Sequence, residues 1–328
     1  EAMLALAAPE LAVVPEELDR DGWLLNCANG TLDLRTGLLR EHRRDDYLTR
    51  LCPTSYLPDA PTGDWVGFLE SIFLKPSLVD FVRKYLGYCL TGNVREQFLL
   101  ICWGEGSNGK STLLEAFLQT LGPDYAMKAP ADLLIVKKND AHPTERADLF
   151  GKRFVACVES GPARRLNESF VKELTGGDTI RARRLYENHW QFPPTHKVLL
   201  CTNSCPEVNG TDHAIWRRLG LLQFPVTFWD ADKGESGPDE LRQDKDLPER
   251  LRRAAEGILA WCVQGCLDWK QNRLQLAPEI IAATQRYRRS EDIVAAFIED
   301  SRVIDAGCRG RAGSLYSAYE LWCIWEGR

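Results

Sequence analysis

The sequence predicts an α/β fold with a central, mainly parallel sheet, a small α+β region before it and helices after it. Four short apolar runs have the length of buried strands, and the chain between them is long enough for crossovers. They are QFLLICW (97–103), RFVACV (153–158), KVLLC (197–201) and LGLLQF (219–224). The glycine-rich stretch GEGSNGKST (104–112) directly follows the first run and precedes a helical pattern. Strand, glycine loop and helix in this order are typical of a phosphate-binding parallel sheet.

Regions on either side of this sheet have different patterns. Residues 20–60 alternate apolar and polar side chains, and the turn signals NG (29–30) and TG (36–37) predict small antiparallel hairpins. The apolar spacing is helical over residues 65–90 and again after about residue 240. The elements therefore run from hairpins and helices, through the sheet, to a second group of helices.

These changes of pattern divide the chain into four predicted segments. They are residues 1–92 (hairpins and a collar-like helical region), 93–228 (the phosphate-loop core), 229–289 (helices) and 290–328 (the start of a further segment, for which a winged helix is one candidate). The chain begins at a glutamate and stops within a helical pattern. We therefore expect it to be a piece of a longer polypeptide.

Composition excludes few functions. The 328 residues carry a net charge of −6, which argues against a protein coated in nucleic acid but not against a local basic channel. No stretch approaches the ~20 apolar residues of a membrane-spanning helix, so we expect no membrane partner and a cytoplasmic location. The 11 cysteines are scattered and lack a C-x-x-C pair, which indicates reduced, buried thiols.

The loop at 104–112 matches the pattern G-x-x-x-x-G-K-[ST], which holds the phosphates of a nucleotide. Backbone N–H groups of such a loop face phosphate oxygens, the lysine reaches the β- and γ-phosphates, and the hydroxyl after it ligates Mg²⁺. The sequence therefore predicts ATP and Mg²⁺ as cofactors, with Ser111 as a metal ligand. The predicted nucleotide-binding residues are Gly104, Gly106, Asn108, Gly109, Lys110, Ser111 and Thr112.

Two polar residues follow predicted strands of the same sheet. Glu159 comes directly after RFVACV, where a carboxylate would hold Mg²⁺ or activate the attacking water. Asn203 follows KVLLCT, where an amide would orient that water against the γ-phosphate. Without the phosphate loop, the alternatives are an exposed glutamate after a strand and a turn asparagine.

Two adjacent arginines, Arg217 and Arg218, lie just before the last predicted strand. A guanidinium there would reach the γ-phosphate of a neighbouring subunit as an arginine finger. The alternative is a surface ion pair. Arg218 is preferred over Arg217 as the finger, by a narrow margin.

The order of the motifs resembles the superfamily 3 helicases, and within them the poxvirus-type and phage or plasmid primase-helicases. The segment KELTGGD, followed by RARRLY and F-P-P, is much more specific than the phosphate loop. The resemblance extends upstream to NCANGTLDLRTGLLREH and downstream to LYSAYELWC. The four matching stretches are 104–117, 151–160, 171–203 and 212–228.

The resemblance implies an AAA+-like ATPase that forms a ring, usually a hexamer, around DNA and unwinds it while moving on one strand. Single-stranded and forked DNA would be its substrates, and a primase domain often lies in the same chain. A phage or plasmid origin would place it in a bacterial cytoplasm. By this resemblance Lys110, Glu159 and Asn203 are the phosphate-loop lysine, the Walker B acid and the sensor. Val158 and Ser160 flank Glu159, so one acid replaces the two acids of some relatives.

The stretch 177–194 lies between the Walker B and sensor strands, where this family has a hairpin that contacts DNA. It alternates as a strand should, and we expect the first two of its arginines to share a face. Cations follow a phosphate backbone while aromatic side chains stack on bases. The candidate DNA-binding residues are Arg181, Arg183, Arg184 and His189. The alternative is an ordinary surface hairpin whose arginines pair with nearby acids.

Two other functions share these motifs. A small-molecule kinase would have the same phosphate loop, but the long basic insertion before Asn203 argues against it. A platform for DNA loading or oligomerisation would bind nucleotide without using it as fuel. Turnover without stimulation by DNA would favour the kinase, and nucleotide binding without turnover would favour the platform.

Overall fold

The computed structural model describes Met3 and residues 13–136, 143–158, 164–184, 186–208, 212–300 and 310–325. Its centre is a sheet of five parallel strands, which pair side by side in the order 219–223, 99–103, 197–202, 154–158 and 126–130. The strands are β4 (Leu99–Trp103), β5 (Ala126–Pro130), β6 (Phe154–Val158), β9 (Lys197–Thr202) and β10 (Leu219–Gln223). The predicted α/β class with a parallel sheet is confirmed.

Strand β4 is a central strand of this sheet. Leu99 pairs with Leu219 of β10 on one side, and Trp103 pairs with Thr202 of β9 on the other. Strands buried on both faces are nearly continuous in apolar residues, which is why the sequence identified four of the five. Strand β5, at one edge, was missed because its sequence AMKAP is short, polar on one side and ends in proline.

The N-terminal part combines a small antiparallel sheet with two helices. Strands β1 (Leu24–Cys27), β2 (Gly30–Asp33) and β3 (Leu38–Arg40) form the two predicted hairpins. Helices α1 (Gly63–Phe73) and α2 (Pro76–Cys89) follow, in agreement with the helical pattern at 65–90.

The remaining helices surround the sheet and extend beyond it. Helix α3 (Lys110–Tyr125) begins at the phosphate loop, and non-helical backbone at Gly122 interrupts it. A two-stranded hairpin of β7 (Ile180–Ala182) and β8 (Trp190–Phe192) precedes β9. The helices are α3 (Lys110–Tyr125), α4 (Pro143–Ala147), α5 (Glu168–Gly176), α6 (His213–Trp216), α7 (Leu247–Arg253), α8 (Ala255–Asn272), α9 (Pro278–Glu291), α10 (Ile293–Asp300) and α11 (Ala312–Trp325).

One apolar core joins the first three predicted segments. It runs from Leu25 in β1 to Ile280 in α9 and includes one face of the central sheet. Helices α2 and α8 touch through glycines: a methyl group on Gly87 would lie 2.2 Å from the backbone nitrogen of Cys266. The segment boundaries remain predictions, but the segments pack as one body.

Two further sequence expectations concern thiols and membranes. All ten cysteines in the described part of the chain are free, and eight of them are buried, as the scattered spacing indicated. Within the same residues, no helix has both the length and the apolar character needed to cross a membrane.

Candidate functional site

The phosphate loop connects β4 to α3 through backbone that glycine favours. Gly106 and Gly109 have φ angles of 118° and 84°, and α3 begins directly afterwards at Lys110. Such left-handed backbone carries little penalty for glycine. At Gly104 the space itself is limiting, because a Cβ would lie 2.2 Å from the Nδ2 atom of Asn108. Three of the predicted glycines are therefore required by the geometry of the loop.

Lys110 lies inside the loop rather than in solvent. Its ammonium donates to the carbonyl oxygen of Gly104 at 2.6 Å and to Oδ1 of Asn108 at 3.0 Å. The side chain is only 7% exposed, and burial lowers the pKa of Lys110 below its usual value. Both acceptors are uncharged, so an anionic phosphate oxygen would be a stronger partner for this ammonium.

Asn108 has an unusual hydrogen-bonding deficit. The residue is 3% exposed, and its Nδ2 atom has no hydrogen-bond partner among the described residues. A buried donor without an acceptor is destabilising by about 1–3 kcal/mol. A ligand oxygen in the loop would remove this deficit.

The loop opens into a cleft of about 730 Å³, within the range of small-molecule sites. Ser111 is exposed and Thr112 is half-buried, and both line the cleft. No group of three His, Cys, Asp or Glu side chains suited to a metal occurs in the part of the chain that the structure describes. A Mg²⁺ ion would therefore take the Ser111 hydroxyl, phosphate oxygens and water, together with the predicted ligand Glu159.

The predicted sensor lies beside the loop, whereas the predicted Walker B acid lies outside the described residues. Asn203 is exposed, lines the cleft, and accepts a hydrogen bond at its backbone oxygen from the Trp103 indole, at 3.2 Å. Glu159 is not described, but Val158 before it pairs with Cys201 of β9. The ends of β4, β6 and β9 thus meet at one edge of the sheet, as parallel strands require.

The two candidate finger arginines have different surroundings. Arg218 is buried, and its guanidinium donates to the carbonyl oxygen of Ala214 at 2.8 Å and to Oε1 of Gln97 at 3.2 Å. Burial lowers the pKa of Arg218. Arg217 is exposed. The narrow preference for Arg218 stays a prediction, but a finger must be free to reach another subunit, and of the two side chains only that of Arg217 is exposed.

The predicted hairpin exists between β6 and β9. Its base is held by aromatic packing, because the Trp190 ring lies 5.0 Å from the rings of both Phe150 and Phe192. Tyr186, near the tip, is fully exposed with a φ angle of 65°. The hairpin therefore presents an aromatic side chain to solvent on an anchored base.

The predicted DNA-binding side chains are accessible, with one difference from expectation. Arg181, Arg184 and His189 are exposed, whereas Arg183 is half-buried and lies beyond the end of β7, so it does not share a strand face with Arg181. Among the described residues no ion pair involves Arg181, Arg183 or Arg184. Lys172 instead pairs with Asp212, at the start of α6.

Sequence reasoning missed two walls of the cleft. One is the face of α1 that contains Gly63, Gly67 and Ser71, and the other is the segment from Phe228 to Arg250. The first was assigned to a preceding segment and the second lacks any motif. Gly67, within the helical pattern predicted at 65–90, was the available signal, because glycine weakens a helix unless its missing side chain is needed.

The sheet, the glycine loop and the helix after it define a P-loop α/β protein. A family model described as "D5 N terminal like" matches residues 1–74, and one described as a family of unknown function, DUF5906, matches residues 102–218. The apo structure of the NrS-1 C-terminal region is similar in fold, with a TM-score of 0.50 and 12% identity over 77% of this chain and 61% of that one.

Two viral proteins are related to most of this chain. "Putative helicase L207/L206" of Acanthamoeba polyphaga mimivirus is 29% identical over 299 residues, which cover 86% of this chain and 31% of the relative. "Putative primase C962R" of African swine fever virus (strain Badajoz 1971 Vero-adapted) is 26% identical over 331 residues, which cover 94% and 34%. The chain thus spans about a third of these relatives. The resemblance to the superfamily 3 primase-helicases is confirmed.

Proposed function

We propose that this chain is the ATPase motor of a ring-forming DNA helicase that moves on single-stranded DNA and unwinds forked duplexes. The observation that carries this proposal is the position of the phosphate loop, Asn203 and the β7–β8 hairpin relative to one another. The phosphate loop and Asn203 border one cleft. Just before the strand that leads to Asn203 lies an anchored hairpin whose arginines have no ion-pair partner among the described residues.

Lys110 would bind the β- and γ-phosphates of ATP, and Ser111 would ligate Mg²⁺ together with Glu159. Asn203 would orient the water that attacks the γ-phosphate. Loss of that phosphate changes the contacts at the end of β9, and β8 enters β9 through only four residues, 193–196. Hydrolysis is thereby coupled to the position of the hairpin on DNA.

The position of Arg217 supports a ring. Arg217 precedes the amino end of β10, whereas the phosphate loop follows the carboxyl end of the neighbouring, parallel β4. Five residues of strand separate these edges by about 16 Å, so Arg217 cannot reach the nucleotide of its own subunit. We propose that it acts on the next subunit, and that a hexamer forms. The relative named a primase supports a primase domain in the full-length protein.

The test is ATP hydrolysis by the chain and by Lys110→Ala, with and without single-stranded DNA, over a series of protein concentrations. We expect a rate that needs Lys110 and rises with both DNA and protein concentration, followed by unwinding of a forked duplex. Nucleotide binding without turnover would instead identify an oligomerisation platform. Turnover indifferent to DNA and concentration would point to a small-molecule kinase.

A further inference from the structure

The cleft contains more than a phosphate site, and its second half is formed by elements on both sides of the loop in sequence. We propose that the bare face of α1 formed by Gly63, Gly67 and Ser71, together with Phe228, is the nucleoside subsite. In it the base and ribose of the triphosphate lie against the helix backbone. This inference rests on the proposed nucleotide-binding function of the phosphate loop.

The sheet order determines on which side of the loop a nucleoside must lie. Asn203 follows β9 on one side of β4, while Phe228 follows β10 on the other. The γ-phosphate belongs beside Asn203, because water activation occurs there. A nucleotide held by Lys110 therefore extends its nucleoside towards β10 and the segment that follows it.

That segment is tied to the phosphate loop through the backbone. The N–H of Phe228 donates to the carbonyl oxygen of Ser107 at 2.7 Å. The next residue, Trp229, pairs with the strip at 241–243: its carbonyl accepts from the N–H of Gln243 at 2.9 Å. The Phe228 ring and the polar segment 241–243 are therefore held close to the phosphate loop.

Helix α1 is also packed against the phosphate loop. A methyl group on Gly109 would lie 2.7 Å from Cγ2 of Ile72, so helix and loop are in close contact. Trp65, Leu69 and Ile72 direct one face of α1 into the core. The face at positions 63, 67 and 71 instead lines the cleft.

The glycines on this face do not pack against any part of the chain that the structure describes. A Cβ built on Gly63 or on Gly67 would meet no described atom within 4 Å, unlike Gly87, whose Cβ would clash with α8. Gly67 lies within the helix, where glycine is less stable than alanine by about 1 kcal/mol. A flat backbone surface suits a planar ring in van der Waals contact. Asn108 lines the same cleft, and its buried Nδ2 atom has no hydrogen-bond partner among the described residues, which separately points to a ligand in this cleft.

Two ion pairs of Arg250 link the walls of the cleft. Arg250 of α7 contacts Asp64 of α1 at 3.3 Å and Asp244 at 2.8 Å, and all three residues line the cleft. These contacts link α1 to the segment after β10 across the cleft.

The test compares ligands that share the phosphates and differ in the nucleoside. Calorimetry would measure binding of Mg·ATP and of tripolyphosphate to the wild type, Gly67→Ala, Gly67→Leu, Lys110→Ala and, as a matched control, Gly313→Ala. Gly313 lies in α11, and its Cβ would also meet no atom within 4 Å.

We expect Gly67→Ala to raise the melting temperature while weakening ATP binding about threefold, and Gly67→Leu to weaken it about thirtyfold, or about 2 kcal/mol. Tripolyphosphate binding should change in neither variant, and Gly313→Ala should bind both ligands as the wild type does. Equal losses for both ligands, or an unchanged ATP affinity in Gly67→Leu, would overturn the subsite. If the wild type binds ATP but does not hydrolyse it, the motor function fails while the subsite stands. If Lys110→Ala binds ATP normally, both fail.

Discussion

Arg217 and Arg218 are neighbours in sequence, but Arg217 is exposed to solvent, whereas Arg218 is buried and its guanidinium donates two hydrogen bonds. We predict that Arg217→Ala lowers ATP turnover at least 100-fold in assembled protein without changing the melting temperature, because an arginine finger contributes only at the transition state. Arg218→Ala should instead lower the free energy of unfolding by about 2 kcal/mol, because it removes charged, buried hydrogen bonds.

Mixed assemblies separate a finger that acts between subunits from one that acts within a subunit. Arg217→Ala supplies an intact phosphate loop, and Lys110→Ala supplies an intact Arg217. Turnover by the mixture should exceed the sum of the two separate rates. A purely additive rate would contradict action between subunits.

Lys197 is a buried cation at the start of β9. It donates to the carbonyl oxygens of Thr91 and Thr195, and it lies 4.9 Å from the ring centre of Tyr88. These contacts favour the ammonium, but burial opposes it and lowers the pKa of Lys197 to about 7. Lys197 thus links the N-terminal part to the central sheet while carrying a proton that the folded state holds weakly.

A pH dependence follows from this lowered pKa. Between about pH 7 and 10 the unfolded chain, with an ordinary lysine pKa of ~10.4, binds more protons than the folded chain. The contribution of Lys197 to the free energy of unfolding therefore rises with pH in this window. Below pH 7 the destabilising effect of burying its ammonium is fully present. We predict that the unfolding free energy of the wild type rises by about 2 kcal/mol relative to that of Lys197→Met from pH 7 to pH 9, measured by urea denaturation. A constant difference would show that Lys197 is charged in the folded state throughout.

At the scale of an element, the β7–β8 hairpin combines an anchored base with an exposed tip. Its arginines have no ion-pair partner among the described residues, so their charges are available to phosphates. We predict that Arg181→Ala and Arg184→Ala each weaken binding of single-stranded DNA about equally for different sequences. Each should also reduce the slope of log affinity against log salt by about 0.7. Fluorescence anisotropy at several salt concentrations measures both.

Arg252→Ala is a suitable control for these variants, because Arg252 is an exposed arginine on α7 that pairs with Glu249. Its salt slope should equal that of the wild type. At the tip, Tyr186→Ala should weaken binding by about 1–3 kcal/mol and Tyr186→Phe should not, if Tyr186 stacks on a base. Loss in both variants would point to the hydroxyl rather than the ring.

For the whole molecule, the close contact between α2 and α8 joins the N-terminal part to the C-terminal helices. A methyl group on Gly87 would meet the backbone of Cys266, which cannot move as the end of a flexible side chain can. We predict that Gly87→Ala lowers the free energy of unfolding by about 3 kcal/mol. It should do so in a single transition that also abolishes nucleotide binding, because the segments share one core. Chemical denaturation followed by far-UV circular dichroism and by nucleotide binding measures this, with Gly313→Ala as the control. Two separate transitions would show independent domains.

The sequence by itself determined the features whose chemistry is local. The phosphate-loop glycines and Lys110 were identified because a glycine loop between a strand and a helix commonly binds phosphate. Four strands were identified because strands buried on both faces are nearly continuous in apolar residues. The hairpin was expected from the resemblance to the primase-helicases, and Arg181, Arg184 and His189 on it are exposed. Glu159 remains a prediction outside the described residues.

Only the tertiary structure decided matters that depend on burial by distant residues. It distinguished Arg217 from Arg218, because the partner Gln97 lies 121 positions away. It also brought α1 and the segment after β10 to the cleft of the phosphate loop, although these two elements lie far apart in the sequence. Burial and proximity depend on how the whole chain packs. The same local sequence can therefore lie in a hydrophobic core or in a functional site.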